Sequence, residues 1–256
     1  MIGAIAGDMI GSPYEAYPIK HTHFDPVVSG FTDDTVLTIA IAYAILNDAD
    51  IALSLKKFAE KYYHLPYGGG FRNWVRSRNN SPYNSFGNGS AMRVSPVGFA
   101  YDSVDDVLNQ AERTAAVTHN HPEGIKGARA TALAIYRARM GESKDGIRKE
   151  ITNRFSYDLN RTVDEIRPNY SFDVTCQGSV PESIVAFLDS NSWEDAVKKS
   201  ISLGGDADTM ACIAGGIAQA YYKKIPEKIV EEVRKRLPLD FRAVLDTFNQ
   251  KYECEF

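Results

Sequence analysis

Two short stretches hold most of the chemistry this sequence can perform. Leu203-Gly204-Gly205-Asp206-Ala207-Asp208-Thr209 places two carboxylates and a hydroxyl within four residues, after a Gly pair that frees the backbone to turn and before an apolar run. Phe31-Thr32-Asp33-Asp34-Thr35 repeats the makeup: a hydroxyl, two adjacent carboxylates, another hydroxyl, then the apolar run Val36 to Leu46. Each stretch stands where a helix should begin. Free N–H groups and the helix dipole favour an anion there, so Asp206 or Thr32 can be read as an N-cap and nothing more. A second carboxylate adds little to a cap, however. Four Asp brought together repel strongly unless cations neutralise them. Hard oxygen ligands with no nearby Cys or His pattern suit Mg²⁺, with Mn²⁺ the alternative, over Zn²⁺.

Other loops add polar groups and bare backbone. In Ser85-Phe86-Gly87-Asn88-Gly89-Ser90-Ala91-Met92-Arg93 two glycines flank Asn88 before a helical run, which suits either a backbone nest for phosphate oxygens or a tight turn. It matches neither G-x-G-x-x-G nor a Walker A sequence. Pro66-Tyr67-Gly68-Gly69-Gly70 offers backbone that a ligand can approach. Thr118-His119-Asn120-His121 precedes Pro122, placing His119 and His121 beside a helix start, where either could touch a ligand or cap a neighbouring helix. Glu15 follows Ser12-Pro13-Tyr14, which reads as a helix break. His21 and His23 are two apart in a polar loop, a spacing more typical of solvated surface than of a metal pair.

The elements that must position these groups are helical. Gly3, Gly7 and Gly11 recur every four residues in an apolar N-terminal segment, so they form a smooth stripe that admits a second helix closely; Asp8 is the one charge inside it, expected to be hydrogen-bonded. Further helices are expected over 51–63, 71–78, 102–117, 123–140, 182–188, 193–203, 207–221, 226–237 and 239–252. Pro181 is read as the N1 residue of one, and Ser192 with Asp195 as the capping box of another. Residues 141–167 read as an exterior helix and loop, and 169–180 as mild strand at most. The fold class is all-α, in one domain spanning residues 1–256.

Composition narrows the function classes. Of 256 residues, 44% are hydrophobic and 24% charged, which excludes disorder and a membrane fold, and no apolar run is long enough to span a bilayer. A net charge of −4 argues against nucleic acid as a partner. Cys176, Cys212 and Cys254 are odd in number and widely spaced, so they read as reduced thiols. With no signal-peptide pattern at the N-terminus, the expectation is a cytoplasmic protein, acting as a monomer.

Taken together, Gly7-Asp8, Ser12-Pro13-Tyr14-Glu15, Thr32-Asp33-Asp34-Thr35, Gly87-Asn88-Gly89-Ser90-Ala91-Met92-Arg93, Thr118-His119 and Gly204-Gly205-Asp206-Ala207-Asp208-Thr209 resemble the ADP-ribosylglycohydrolase family in order and spacing over nearly the whole chain. The resemblance implies an all-helical fold around two Mg²⁺ or Mn²⁺ ions, held by Thr32, Asp33, Asp34, Asp206, Asp208 and Thr209. It implies that Glu15 lies near the metals, that Asp33, Asp34 or Glu15 moves the proton, and that Gly69, Asn88, Gly89, Ser90 and His119 hold ADP-ribose. Phe86 and Tyr101 are candidates to stack on adenine. The expected reaction is metal-dependent hydrolysis of the bond between ADP-ribose and an acceptor, with ADP-ribosylated protein arginine first. Serine-linked or O-acyl ADP-ribose conjugates are alternatives in the same site.

Three other readings fit less well. A module that only binds ADP-ribose needs no set of four Asp and Glu15. The D-x-D-x-T spelling of Asp206-Ala207-Asp208-Thr209 matches haloacid-dehalogenase-like phosphatases, but there it should follow an N-terminal strand. An isoprenoid synthase needs a third Asp near Leu37, and none is present.

Overall fold

The computed structural model describes residues 1–256 and is all-α. The helices are α1 (Ile2–Ala16), α2 (Asp33–Asn47), α3 (Ile51–Lys61), α4 (Gly69–Arg76), α5 (Gly89–Met92), α6 (Ser95–Ala100), α7 (Val104–Ala116), α8 (Pro122–Arg139), α9 (Lys144–Phe155), α10 (Val163–Ile166), α11 (Cys176–Leu188), α12 (Trp193–Ile201), α13 (Ala207–Tyr222), α14 (Glu227–Arg236) and α15 (Leu239–Lys251). The sole extended pairing is an isolated bridge between Gly87 and Thr175, so residues 169–180 form no strand, and α11 already begins at Cys176.

The centre of the molecule is the pair α1 and α13. All of α13 from Ala207 to Ala220 is buried, as is α1 from Ile2 to Gly11, because both are built from small and apolar residues on every face. Their backbones touch along the glycine stripe: a Cβ on Gly7 would lie 2.0 Å from the Ala211 carbonyl oxygen, and one on Gly3 2.6 Å from that of Gly215. Helices α8, α11 and α12 pack around α13, while α2 lies against α1 and carries α3 and α15 on its outer side. The N-terminal ends of α2 and α13, which bear the two acidic stretches, thereby meet.

Two prolines expected to bound helices lie inside them. Pro13 does not end α1, which continues to Ala16. Proline removes the N–H that would bond the carbonyl four residues back, and here that carbonyl, on Met9, accepts from the Ser29 N–H at 2.8 Å. The helix therefore passes through Pro13 without an orphaned carbonyl at Met9. Pro181 likewise lies within α11, whose N-cap is Thr175, accepting from Gly178 N–H; Pro181 is not N1. Ser192 caps α12 by accepting from Asp195 N–H, but the Asp195 carboxylate accepts from Asn191 N–H, one residue away from a true capping box.

Candidate active site

At the start of α2, Thr32 is a working N-cap: its backbone is extended and its hydroxyl accepts from Asp34 N–H at 3.3 Å. The stretch is clamped from α1. Asp8 is fully buried and accepts from Thr32 N–H (3.0 Å), the Thr32 hydroxyl (2.8 Å), Thr35 N–H (3.1 Å) and the Thr35 hydroxyl. The lone charge in the buried part of α1, Ile2 to Gly11, is thus the anchor of the first acidic stretch.

At the start of α13 the support is different. Gly204 adopts φ +66°, the left-handed turn that its lack of Cβ permits. The Lys20 ammonium donates to the carbonyls of Arg167, Tyr170 and Leu203, tying this turn to the preceding loop. Asp206 occupies the N-cap position yet makes no side-chain cap bond. Its carboxylate accepts from Asn88 Nδ2 at 2.7 Å and is otherwise free to face the cavity, which removes the capping explanation for this residue. The Thr209 hydroxyl donates to Asp34 at 3.4 Å, joining the two stretches.

Glu15, Asp33, Asp34, Asp206 and Asp208 all line one cavity of about 560 Å³. Carboxylate oxygens of Glu15, Asp206 and Asp208 lie within 4.8 Å of one another. Burial first, and the Asp208 charge second, raise Asp33 and Asp8 to about 7, and push Asp34 and Asp206 well above the usual carboxylate range. Half-buried Glu15 is raised for the same two reasons. Asp34 Oδ1 is buried with no hydrogen-bond partner at all. An orphaned buried acceptor within an all-oxygen set that carries excess negative charge fits a hard divalent cation.

The cavity is also lined by Gly68, Gly70, Tyr83 to Gly89 and His119. Asn88 N–H is committed to the Val174 carbonyl at 2.8 Å. The His119 ring stands over the glycine loop, its Nε2 3.1 Å from where a Cβ on Gly89 would be. Burial, then the nearby Arg93 charge, lower His119 well below its ordinary value, so the ring is neutral at pH 7.

The structure thus brings Glu15, Asp33, Asp34, Asp206, Asp208, Thr209, Asn88, Gly89 and His119 to one cavity. Thr32 lies just beneath it, bonded to Asp8. Gly69 is the first residue of α4 between two lining glycines. The Ser90 hydroxyl turns away, donating to the Gly124 carbonyl at 2.7 Å. Phe86 lines the cavity, whereas Tyr101 does not. His21 and His23 sit in an exposed loop with ring centroids 6.5 Å apart. Sequence reasoning overlooked Lys20, Tyr83, Arg93 and Thr118. Of these, Arg93 and Thr118 offered a signal inside the motifs that contain them, and Lys20 offered none.

An all-helical protein with two helix starts converging on a buried, oxygen-only acidic cluster is the class defined by this geometry. The chain belongs to the ADP-ribosylglycohydrolase family, whose model matches residues 1–253, and it is a glycohydrolase enzyme acting on ADP-ribose conjugates. It is 28% identical to the human (Homo sapiens) ADP-ribosylhydrolase ARH3, over 89% of this chain and 86% of that protein. It is 26% identical to the ADP-ribosylarginine hydrolase Tri1 of Pseudomonas putida (strain GB-1), over 91% of this chain and 72% of that protein. In fold it resembles the solved structure of an ADP-ribosylglycohydrolase-related protein complex, with a TM-score of 0.75 at 22% identity, covering 98% of this chain and 95% of the other. No helix is long and apolar enough to cross a membrane.

Proposed function

We propose that this protein removes ADP-ribose from modified arginine side chains, as a monomeric single-domain cytoplasmic enzyme that requires two Mg²⁺ ions, with Mn²⁺ able to substitute. The observation that carries this reading is the single cavity lined both by five carboxylates and by the glycine loop with His119. Those two sets of groups suit the two halves of one ligand: a sugar that becomes cationic and a diphosphate. Thr32, Asp33, Asp34, Asp206, Asp208 and Thr209 are assigned to the metals. Bound there, the cations would supply positive charge to the cluster and acidify water near it.

The chain's own groups do the rest. The glycines around Gly69, with Asn88, Gly89 and His119, hold ADP-ribose so that the anomeric carbon faces the carboxylates, and Ser90 supports the loop from beneath through its bond to the Gly124 carbonyl. As the bond from that carbon to the acceptor nitrogen breaks, positive charge spreads over the sugar, and the carboxylates around it favour that state. Water adds to the carbon and gives one proton to a carboxylate, for which Asp33 and Asp34 are the candidates. The departing nitrogen takes a proton from the protein. Glu15 is suited to deliver it, because it is half-buried in the cavity lining and its pKa is raised toward neutrality. An acidic cavity also attracts a cationic guanidinium acceptor. Arginine is the acceptor named for the Pseudomonas putida relative.

The test is release of ADP-ribose from an arginine-ADP-ribosylated protein, with Mg²⁺ and with EDTA, beside a serine-linked and an O-acyl conjugate. Release from the arginine substrate with Mg²⁺ alone is expected. Release from the serine or O-acyl substrate instead would replace the acceptor. Tight ADP-ribose binding with no release from any conjugate would make the protein a reader and overturn the reaction.

A further inference from the structure

Arg93 is an unusual cation. It is fully buried, no carboxylate pairs with it, and its Nε and Nη1 have no hydrogen-bond partner. Its Nη2 donates to the Thr114 carbonyl at 2.9 Å and to the Thr118 hydroxyl oxygen at 2.8 Å. Burial lowers its pKa only to about 10, so it stays charged at neutral pH. A buried guanidinium without a counterion is costly and invites a functional explanation.

That explanation lies one bond further on. We infer that Arg93 and Thr118 are positioning residues that hold the proton of His119 on Nε2, so that the ring offers a fixed N–H donor to an acceptor oxygen of ADP-ribose. This deepens the proposed function and rests on it for the identity of the ligand. The Thr118 oxygen lies 2.7 Å from His119 Nδ1. A guanidinium can only donate, so Arg93 occupies a lone pair of Thr118 and leaves the hydroxyl hydrogen to be placed. Thr118 is fully buried, and the only acceptor bonded to its hydroxyl is His119 Nδ1. Were Nδ1 the donor, the Thr118 hydrogen would be buried without an acceptor, which native structures avoid. Nδ1 therefore accepts, and a neutral ring must carry its proton on Nε2.

Nε2 faces the ligand side. It makes no hydrogen bond within the chain, it lies over Gly89, and His119 lines the cavity. The titratable groups packed around the ring are Arg93 and Tyr83, whose ring centroid is 6.0 Å away; neither can take a proton from Nε2. The ring thus acts as a donor, not as an acid or base, and the proton transfers fall to the carboxylates.

The experiment is ¹⁵N NMR of the His119 ring in the ligand-free full chain, paired with ADP-ribose titration of Thr118→Val and Thr118→Ser. In the wild type, Nδ1 should show the shift of an unprotonated ring nitrogen and Nε2 that of a protonated one. Thr118→Val should mix the two forms and weaken ADP-ribose binding roughly tenfold. Thr118→Ser should restore both. A wild-type spectrum with the proton on Nδ1 would overturn the inference whatever the variants do, as would a Thr118→Val protein with unchanged tautomer and affinity. Failure of the wild type to bind ADP-ribose would instead count against the proposed ligand, because the spectrum is recorded without it.

Discussion

The two acidic stretches are alike in makeup and are held in opposite ways. Thr32-Asp33-Asp34-Thr35 is built into its helix: Thr32 caps α2, and Asp8 from the central helix takes four hydrogen bonds from Thr32 and Thr35. Asp206-Ala207-Asp208-Thr209 caps nothing. It is delivered by a left-handed glycine and steadied from outside, by Asn88 on one carboxylate and Lys20 on the carbonyls of the turn. The first stretch is part of the fold's polar framework. The second is a presented pair of carboxylates whose support can be loosened without unmaking a helix. The same local grammar therefore has unequal consequences for stability, while its consequences for chemistry should be equal.

The strongest way to break that comparison is to remove one carboxylate from each side. Asp33→Ala and Asp206→Ala should each abolish metal-dependent release of ADP-ribose and shrink the rise in Tm that Mg²⁺ produces, since a ligand that binds only the folded state stabilises it by mass action. If either variant turns over normally, the assignment of that stretch to the metal site is wrong.

A second effect follows from the crowding itself. Asp8 and Asp33 have folded pKa values of about 7 against an ordinary 3.8. Between those values the folded state binds more protons than the unfolded one, so stability falls as pH rises through this window. In EDTA the Tm should decline from pH 5 to pH 7.5, and added Mg²⁺, which favours ionised carboxylates, should raise Tm more at pH 7.5 than at pH 5. A metal-free Tm that climbs over that range would mean the carboxylates are not crowded as described.

Asp8→Ala separates the two stretches more sharply. It leaves the N–H groups of Thr32 and Thr35 without their acceptor, so it should cost about 2 kcal/mol of stability, after allowing for the relief of repulsion among the carboxylates. Urea unfolding measures this. A loss under about 0.5 kcal/mol would show that the α2 start does not depend on α1.

How far these arrangements could be read from the chain depends on the range of the interactions. The glycine stripe of α1 was legible because its spacing of four is local, and its partner needed only to be another small-residue helix. The two acidic stretches were legible for the same reason: each carries its ligand types within a few residues. Asp8 was legible as a hydrogen-bonded residue but not as an anchor, because its partners come 24 and 27 residues later. Pro13 looked like a helix end because the rescuing N–H belongs to Ser29. The Arg93, Thr118 and His119 relay joins a loop to the end of α7 through side-chain orientation alone, which no pattern in either segment records. Pairings across the fold were the unreadable part; local periodicity and chemistry were the readable one.

The smallest effect is expected at Lys20, and it tests the other half of the comparison. Its ammonium satisfies three carbonyls around the Gly204 turn, but the side chain is exposed and each carbonyl can turn to water when it is gone. Lys20→Met keeps the apolar stem that lies against Gly204 and removes the donor. Stability should therefore drop by less than about 1 kcal/mol, a Tm change of roughly 2–4 °C or less for a chain of this size. The informative readout is the Mg²⁺ concentration at half-maximal stabilisation. It should rise, because the turn that presents Asp206 and Asp208 is no longer fixed before the ion arrives, and part of the binding energy must then order it. The Asp8 anchor is untouched by this substitution, so the α2 half of the cluster stays in place. A Lys20→Met protein with wild-type Mg²⁺ dependence would show that the α13 stretch is as rigidly built into its helix as the α2 stretch, and the asymmetry drawn between them would fall.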